Sequence, residues 1–223
     1  MSVHLHRAVD KLKQDLLSLC ALVEDQAQRA VRALLDRDLH AAKEVQRRDA
    51  EIDQREVEVE EDCLRVLALY QPVAGDLRFI VAALKINNDL ERIGDLAVNI
   101  ARKAATFASL TPMEIPFDLA GMWRKTQAML RDSLDSLVNL DTALAENVCL
   151  RDDEVDRCKR NIRLKCTEMI RQDPDLTAAL LTLMAASRNL ERIADQATNI
   201  AEEVIYMVEG KIVRHSEGNG NKH

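Results

Sequence analysis

Residues 89–101 read DLERIGDLAVNIA and residues 189–201 read NLERIADQATNIA, one pattern occurring twice at a displacement of 100 residues. Internal repetition of this kind sets the architecture before any local reading, because each copy is one supersecondary unit carrying the same chemistry. In the first copy Leu90, Ile93, Ala97 and Ile100 recur at 3-4-3 spacing, and in the second Leu190, Ile193, Ala197 and Ile200 repeat it. That spacing is the apolar stripe of an amphipathic helix, so the stripe is predicted to face a core.

Working outward from the repeat, the composition points the same way. The chain has 223 residues, few Gly and Pro, 3% aromatic, 47% hydrophobic and 31% charged residues, a profile of long helices rather than sheets. Pro72, Pro112, Pro116 and Pro174 interrupt no periodic run and therefore read as helix boundaries. Six helices are predicted, over 3–36, 39–70, 76–109, 117–144, 147–172 and 175–210. Asp76 and Asp175 each precede an apolar run and are expected to cap a helix N-terminus. Long helices on short turns must run antiparallel, so the predicted fold is all-α: two tandem antiparallel three-helix bundles from an internal duplication. Their spans are 1–110 and 117–212, joined by TPMEIPFD at 111–118 and followed by a flexible tail at 213–223.

The net charge of −7 excludes a general nucleic-acid binder, since no basic stripe is available to displace phosphate counterions. No apolar run approaches the roughly 20 residues a membrane span needs, and the expected location is cytoplasmic. Cys20, Cys63, Cys149, Cys158 and Cys166 form an odd set without a C-x-x-C pair, which suggests neither a disulfide framework nor a zinc ribbon. Cys63 and Cys166 occupy equivalent places and are expected to pack. Trp123 is expected to pack as well.

Chemistry concentrates on acidic pairs. Glu91 and Asp95 stand four apart on the third helix, roughly opposite its core stripe by the helical wheel, and Glu191 and Asp195 repeat them. The preceding helix of each half carries a second pair at the same spacing, Asp49 with Asp53 and Asp152 with Asp156. Further along that helix the halves diverge, because Lys159 and Arg163 replace Glu56 and Glu60. Asp53 lies 17 residues before Tyr70, while Glu91 and Asp95 lie 15 and 19 after Asp76. At about 1.5 Å per residue these groups are level across an antiparallel hairpin. Four carboxylates at one height repel one another unless a cation neutralises them, and oxygen ligands of this type suit hard metal ions. The eight residues are thus candidate ligands of magnesium, manganese, calcium or iron, with zinc a further candidate, in one exposed multi-carboxylate cluster per half. Surface pairing of Arg92 with Asp95 and of Arg192 with Asp195 at i, i+3 is the competing structural account.

The run QPVAGDLRFIVAALKINNDLERIGDLAVNIARK at 71–103, together with NLERIADQATNIAEE in the second half, resembles the PhoU family of bacterial phosphate-regulation proteins. The resemblance covers about residues 1–212. It implies two three-helix bundles, frequent homodimers, and E(D)-x-x-x-D motifs that bind multinuclear metal clusters in some members. It also implies a cytosolic negative regulator of the phosphate-starvation response. Such a regulator links the ATPase subunit of a phosphate ABC transporter to a phosphate-sensing histidine kinase, and meets the inner membrane only through those partners. Three departures stand out: Ala194 for Gly94, Asn189 for Asp89 and Thr177 for Arg78, which imply a second site of different occupancy.

Two other readings exist. A carboxylate-metal enzyme such as a phosphohydrolase gains little support, since no His follows a Glu by three residues and neither a phosphate-binding loop nor a nucleophile elbow is present. His4, His6, His40, His215 and His223 all lie outside the motifs. A purely structural helical interaction protein is the third reading.

Overall fold

Capping carboxylates divide the chain into the six helices that the periodicity predicts, in a computed structural model that describes residues 3–210. In order they are α1 (Val3–Leu35), α2 (Leu39–Tyr70), α3 (Ala74–Ser109), α4 (Leu119–Asn139), α5 (Thr142–Gln172) and α6 (Thr177–Glu209), with a 3₁₀ turn at Pro174–Leu176. The side chain of Asp38 accepts a hydrogen bond from the Ala41 amide at 2.9 Å to start α2. Asp118 does the same for α4 through Gly121 at 2.7 Å, and Asp141 for α5 through Leu144 at 3.0 Å. Each satisfies an amide that has no partner within its helix.

Several expected boundaries are corrected. The turn between α4 and α5 falls at Leu140 and Asp141, not at 144–147, because Leu140 takes a left-handed φ of 53° and Asp141 caps α5. Helix α3 starts two residues earlier than expected, so Asp76 lies inside its first turn while Val73 occupies the cap without a side-chain bond. Asp175 is likewise within the 3₁₀ turn, and the capping carboxylate is Asp173, which accepts from the Asp175 amide at 3.1 Å. The expected flexible tail at 213–223 lies outside the described residues.

Asp38 and Asp141 are 103 residues apart, as are Asp49 and Asp152 or Cys63 and Cys166. At that offset the buried Leu16, Leu19 and Leu34 of α1 correspond to the buried Leu119, Met122 and Leu137 of α4. Helix α4 has 21 residues against 33 in α1, so the opening turns of α1 have no counterpart in α4. Their equivalents, 106–118, form the end of α3 and the linker, whose Met113, Ile115 and Phe117 pack partly buried against the core. The offset falls to 100 in α3 and α6 because three residues are missing between Cys166 and Ile193 relative to Cys63 and Ile93, and α6 accordingly starts at Thr177, the counterpart of Leu77, where α3 starts at Ala74.

Within each half every helix contacts the other two, and the most extensive helix pair in the molecule joins the halves through α3 and α6. Ile93, Ile100, Ile193 and Ile200 are fully buried, as the stripes require, and so are Cys63 and Cys166; Trp123 is buried too. Burial of each large apolar side chain contributes about 1.5–3 kcal/mol. Across the junction Lys85 Nζ donates to both carboxylate oxygens of the buried Glu203, at 3.3 and 3.1 Å, and Arg78 Nε donates to the Met207 carbonyl at 3.4 Å. The turn between α1 and α2 is tied to the end of α3 by Arg37, which donates to the carbonyls of Phe107 and Leu110 at 2.6 and 2.7 Å. Its guanidinium also lies over the Phe107 ring at 4.1 Å. No helix among the described residues is long and apolar enough to cross a membrane.

Candidate functional site

Gly94 of α3 faces Ile52 of α2 at close range; a Cβ at Gly94 would stand 3.2 Å from Ile52 Cγ2 and 3.9 Å from Asp49 Oδ1. This proximity brings the two acidic pairs of the first half to one place. Burial pushes the Asp49 carboxyl above its ordinary value, and the like charges of Asp53 and Asp95 add to it, opposed by Gln26, whose amide donates to Asp49 at 3.0 Å. The Glu91 carboxyl is raised by burial and then by Asp95, Glu56 and Asp53. The four predicted residues are therefore electrostatic neighbours, level across the hairpin. Glu91 is half-buried rather than outward-pointing, because α2 covers that flank of α3.

Two members of this cluster escaped the sequence reading. Glu56 belongs to it, its carboxyl raised by burial and by Glu60 and Asp53. The buried Asn87 holds Glu56 in place, donating to both its side-chain Oε1 and its backbone carbonyl at 2.9 Å. A face shared by Asp49, Asp53 and Glu56 at i, i+4 and i+7 is the signal that finds Glu56; the lysine at its counterpart concealed it.

In the second half Asp152, Asp156, Glu191 and Asp195 also come together. Burial raises the Asp152 carboxyl, followed by the charges of Asp156 and Glu191. Asp195 is pushed up to about 6 by burial and then by Glu191, Asp152 and Asp156. Here Lys159 enters the cluster, Nζ donating to Asp156 Oδ1 at 2.8 Å and to Glu191 Oε1 at 2.5 Å. The cation neighbouring Asp195 is thus Lys159, reached across the hairpin, not the Arg192 of the i, i+3 account. Ser187 stands at the Asn87 position and turns back to donate to the Met184 carbonyl at 2.8 Å. Arg160, Arg163, Arg188 and Arg192 line the same groove, of about 550 Å³, with Leu181 and Met184. Across the whole of α2 nine acidic residues face five basic ones, whereas α5 has six and seven.

The first cluster offers only oxygen donors, which suit hard cations. The buried Asn87, whose Nδ2 binds Glu56, leaves its Oδ1 without a hydrogen-bond partner, an orphaned oxygen of the kind a cation would satisfy. Among the described residues no three acidic, histidine or cysteine side chains stand close enough to hold an ion as they are placed. Binding would draw the carboxylates inward and relieve their repulsion. The second cluster fits a metal poorly, since an ammonium already bridges two of its four carboxylates.

The family model for the PhoU domain matches residues 16–104 and again residues 119–204. The two matches begin at Leu16 and Leu119, the equivalent positions identified from the caps. The chain is 36% identical to the phosphate-specific transport system accessory protein PhoU homolog of Pseudomonas aeruginosa, over 96% of this chain and 89% of that protein. It is 37% identical to the homolog of Aquifex aeolicus, over 95% and 96%. Among solved structures, PhoU from Pseudomonas aeruginosa superposes with a TM-score of 0.88 at 36% identity, covering 92% of this chain and 99% of that one. The phosphate transport system regulatory protein PhoU from Streptococcus pneumoniae gives 0.87 at 26% identity, covering 94% and 99%.

Proposed function

The chain belongs to the PhoU family, and from that premise we propose that it is a non-enzymatic regulator attached to phosphate uptake. In this reading it couples the ATPase subunit of a phosphate ABC transporter to a phosphate-sensing histidine kinase and represses the phosphate-starvation response when phosphate is plentiful. The carrying observation is likeness along nearly the whole length of relatives named accessory proteins of phosphate-specific transport. The scaffold suits an adaptor: exposed Leu150, Leu164 and Leu181 provide apolar contact points on the outside of the second half. A docked kinase would be biased toward its phosphatase state by preferential binding of that state.

The ladder of Asp49, Asp53, Glu91 and Asp95, joined by Glu56, would hold a hard cation such as iron, manganese or magnesium in this reading. When bound, the ion would neutralise the mutual repulsion of these carboxylates and stiffen the α2–α3 hairpin. The regulatory part is tested with a transcriptional reporter of phosphate starvation in a strain lacking this gene. Reporter activity should rise in phosphate-rich medium and fall again on complementation; repression that persists without the gene refutes the proposal.

A further inference from the structure

The two acidic ladders share four carboxylates at equivalent positions, yet their fifth members have opposite charge: Glu56 in the first half, Lys159 in the second. The change extends to the supporting residue. Asn87 donates twice to Glu56, whereas Ser187, at the same place on α6, bonds its own helix and leaves Lys159 free to reach Asp156 and Glu191. A side chain of 33% exposure bridging two helices at 2.8 and 2.5 Å is held in place by both of them. An ammonium there supplies one positive charge and three donors to carboxylates that would otherwise face one another.

We infer that Lys159 is a built-in cation that keeps metal out of the second ladder, so that this protein takes metal in one repeat only. An incoming ion would have to displace the ammonium from Asp156 and Glu191 and leave it beside a second positive charge. Among the described residues no ammonium bridges the first ladder as Lys159 bridges the second; Arg102 and Arg92 act on Asp49 and Glu91 through their charge alone, and the fifth carboxylate, Glu56, adds to the charge that draws a cation in. The inference rests on the metal-binding reading of the first ladder, and the two stand or fall by different variants.

The experiment is manganese titration of chelator-treated full-length protein, followed by calorimetry and by metal analysis after desalting. It compares the wild type, Lys159→Glu, Lys159→Gln, and a Lys159→Glu/Ser187→Asn pair that recreates the first-half arrangement. Each is tested alone and with Glu191→Ala/Asp195→Ala, and helical content by circular dichroism confirms that each is folded. Wild-type binding should be insensitive to Glu191→Ala/Asp195→Ala and lost with Glu91→Ala/Asp95→Ala. Lys159→Glu should add a second set of sites that disappears with Glu191→Ala/Asp195→Ala. Replacing one ammonium by one carboxylate should tighten the second ladder by roughly a hundredfold or more, since ligand charge count is one of the factors that tune affinity at carboxylate sites. Lys159→Gln should fall between. If the folded Lys159 variants gain no sites, or if wild type already loses half its manganese with Glu191→Ala/Asp195→Ala, the inference is overturned. A wild type that binds nothing while Lys159→Glu binds at the second ladder would overturn the first-ladder reading and, with it, the claim that the protein takes metal in one repeat, and only the exclusion of metal by Lys159 would survive.

Discussion

Gly94→Ala tests the contact that sets the spacing of the first ladder. The new Cβ would lie 3.2 Å from Ile52 Cγ2 and 3.6 Å from Ile52 Cδ1, and Ile52, 2% exposed, has no solvent to retreat into. Overpacking of this kind costs about 1–3 kcal/mol. Replacing a helical glycine by alanine returns about 1 kcal/mol in propensity. The overpacking term wins, and a net loss of about 1 kcal/mol is expected. The second repeat shows the remedy, because Val155 and Ala194 stand at the Ile52 and Gly94 positions, one methyl moved from α2's counterpart to α3's. Ile52→Val alone should cost about 1 kcal/mol through lost burial. With Gly94→Ala it removes Cδ1 and lets the remaining methyls back away, so the double variant should lie near wild type, a coupling of about 1–2 kcal/mol. Urea denaturation at constant m-value measures all four corners of the cycle. Additive effects, or a Gly94→Ala protein at least as stable as wild type, would refute the close-contact argument. Manganese affinity should follow the same pattern, weakened by Gly94→Ala and restored in the pair.

Three further outcomes are expected. Asp195 has a folded pKa of about 6 against an ordinary 3.8, so the protonated form is the one that folding favours. Stability of metal-free protein should fall as pH rises from about 4 through about 6, the direction to which raised Asp49, Glu91 and Asp152 also contribute. Asp195→Asn should flatten that slope and gain about 1–2 kcal/mol at neutral pH, a figure discounted for partial exposure; thermal melts across pH in chelator decide it. Lys85→Met leaves the buried Glu203 without its cross-repeat cation, and since Glu203 keeps other contacts the expected loss is about 2 kcal/mol by urea denaturation. Arg37→Lys cannot reach both the Phe107 and Leu110 carbonyls and loses the planar stack on Phe107, so a fall of about 1 kcal/mol is expected from the same assay.

The helices and their stripes were legible because periodicity survives in single residues: every leucine, isoleucine and alanine read as core at 90–100 and 190–200 is buried. The break between α4 and α5 was misread because Leu144 and Ala145 sustain an apolar pattern across it. The signal was present all the same, since Asp38 and Asp141 are separated by the same 103 residues as Asp49 and Asp152. Asp76 and Asp175 misled for a related reason: a carboxylate favours the first turn as well as the cap, and sequence alone does not separate the two. At the site, spacing placed four carboxylates per half at one level. The wheel failed for Glu91, because it treats a helix as standing alone, whereas the pairing of Gly94 with Ile52 pulls α2 over that flank. That Lys159 reaches across to α6, rather than hanging in solvent, depends on tertiary geometry that no single-helix pattern contains.

On the proposed regulatory reading, the packing of α3 against α6 bears on how a signal leaves the molecule. The largest helix–helix contact, with the buried Glu203 held by Lys85 beside it, joins the repeats themselves, while the linker lies against the core. A clamp whose jaws swing about a hinge would have to tear this seam open. On that reading, a molecule joined in this way would report by where it is seated and for how long. Phosphate status would then be written in the lifetimes of its complexes, with dissociation rates, rather than angles between halves, as the quantity that changes.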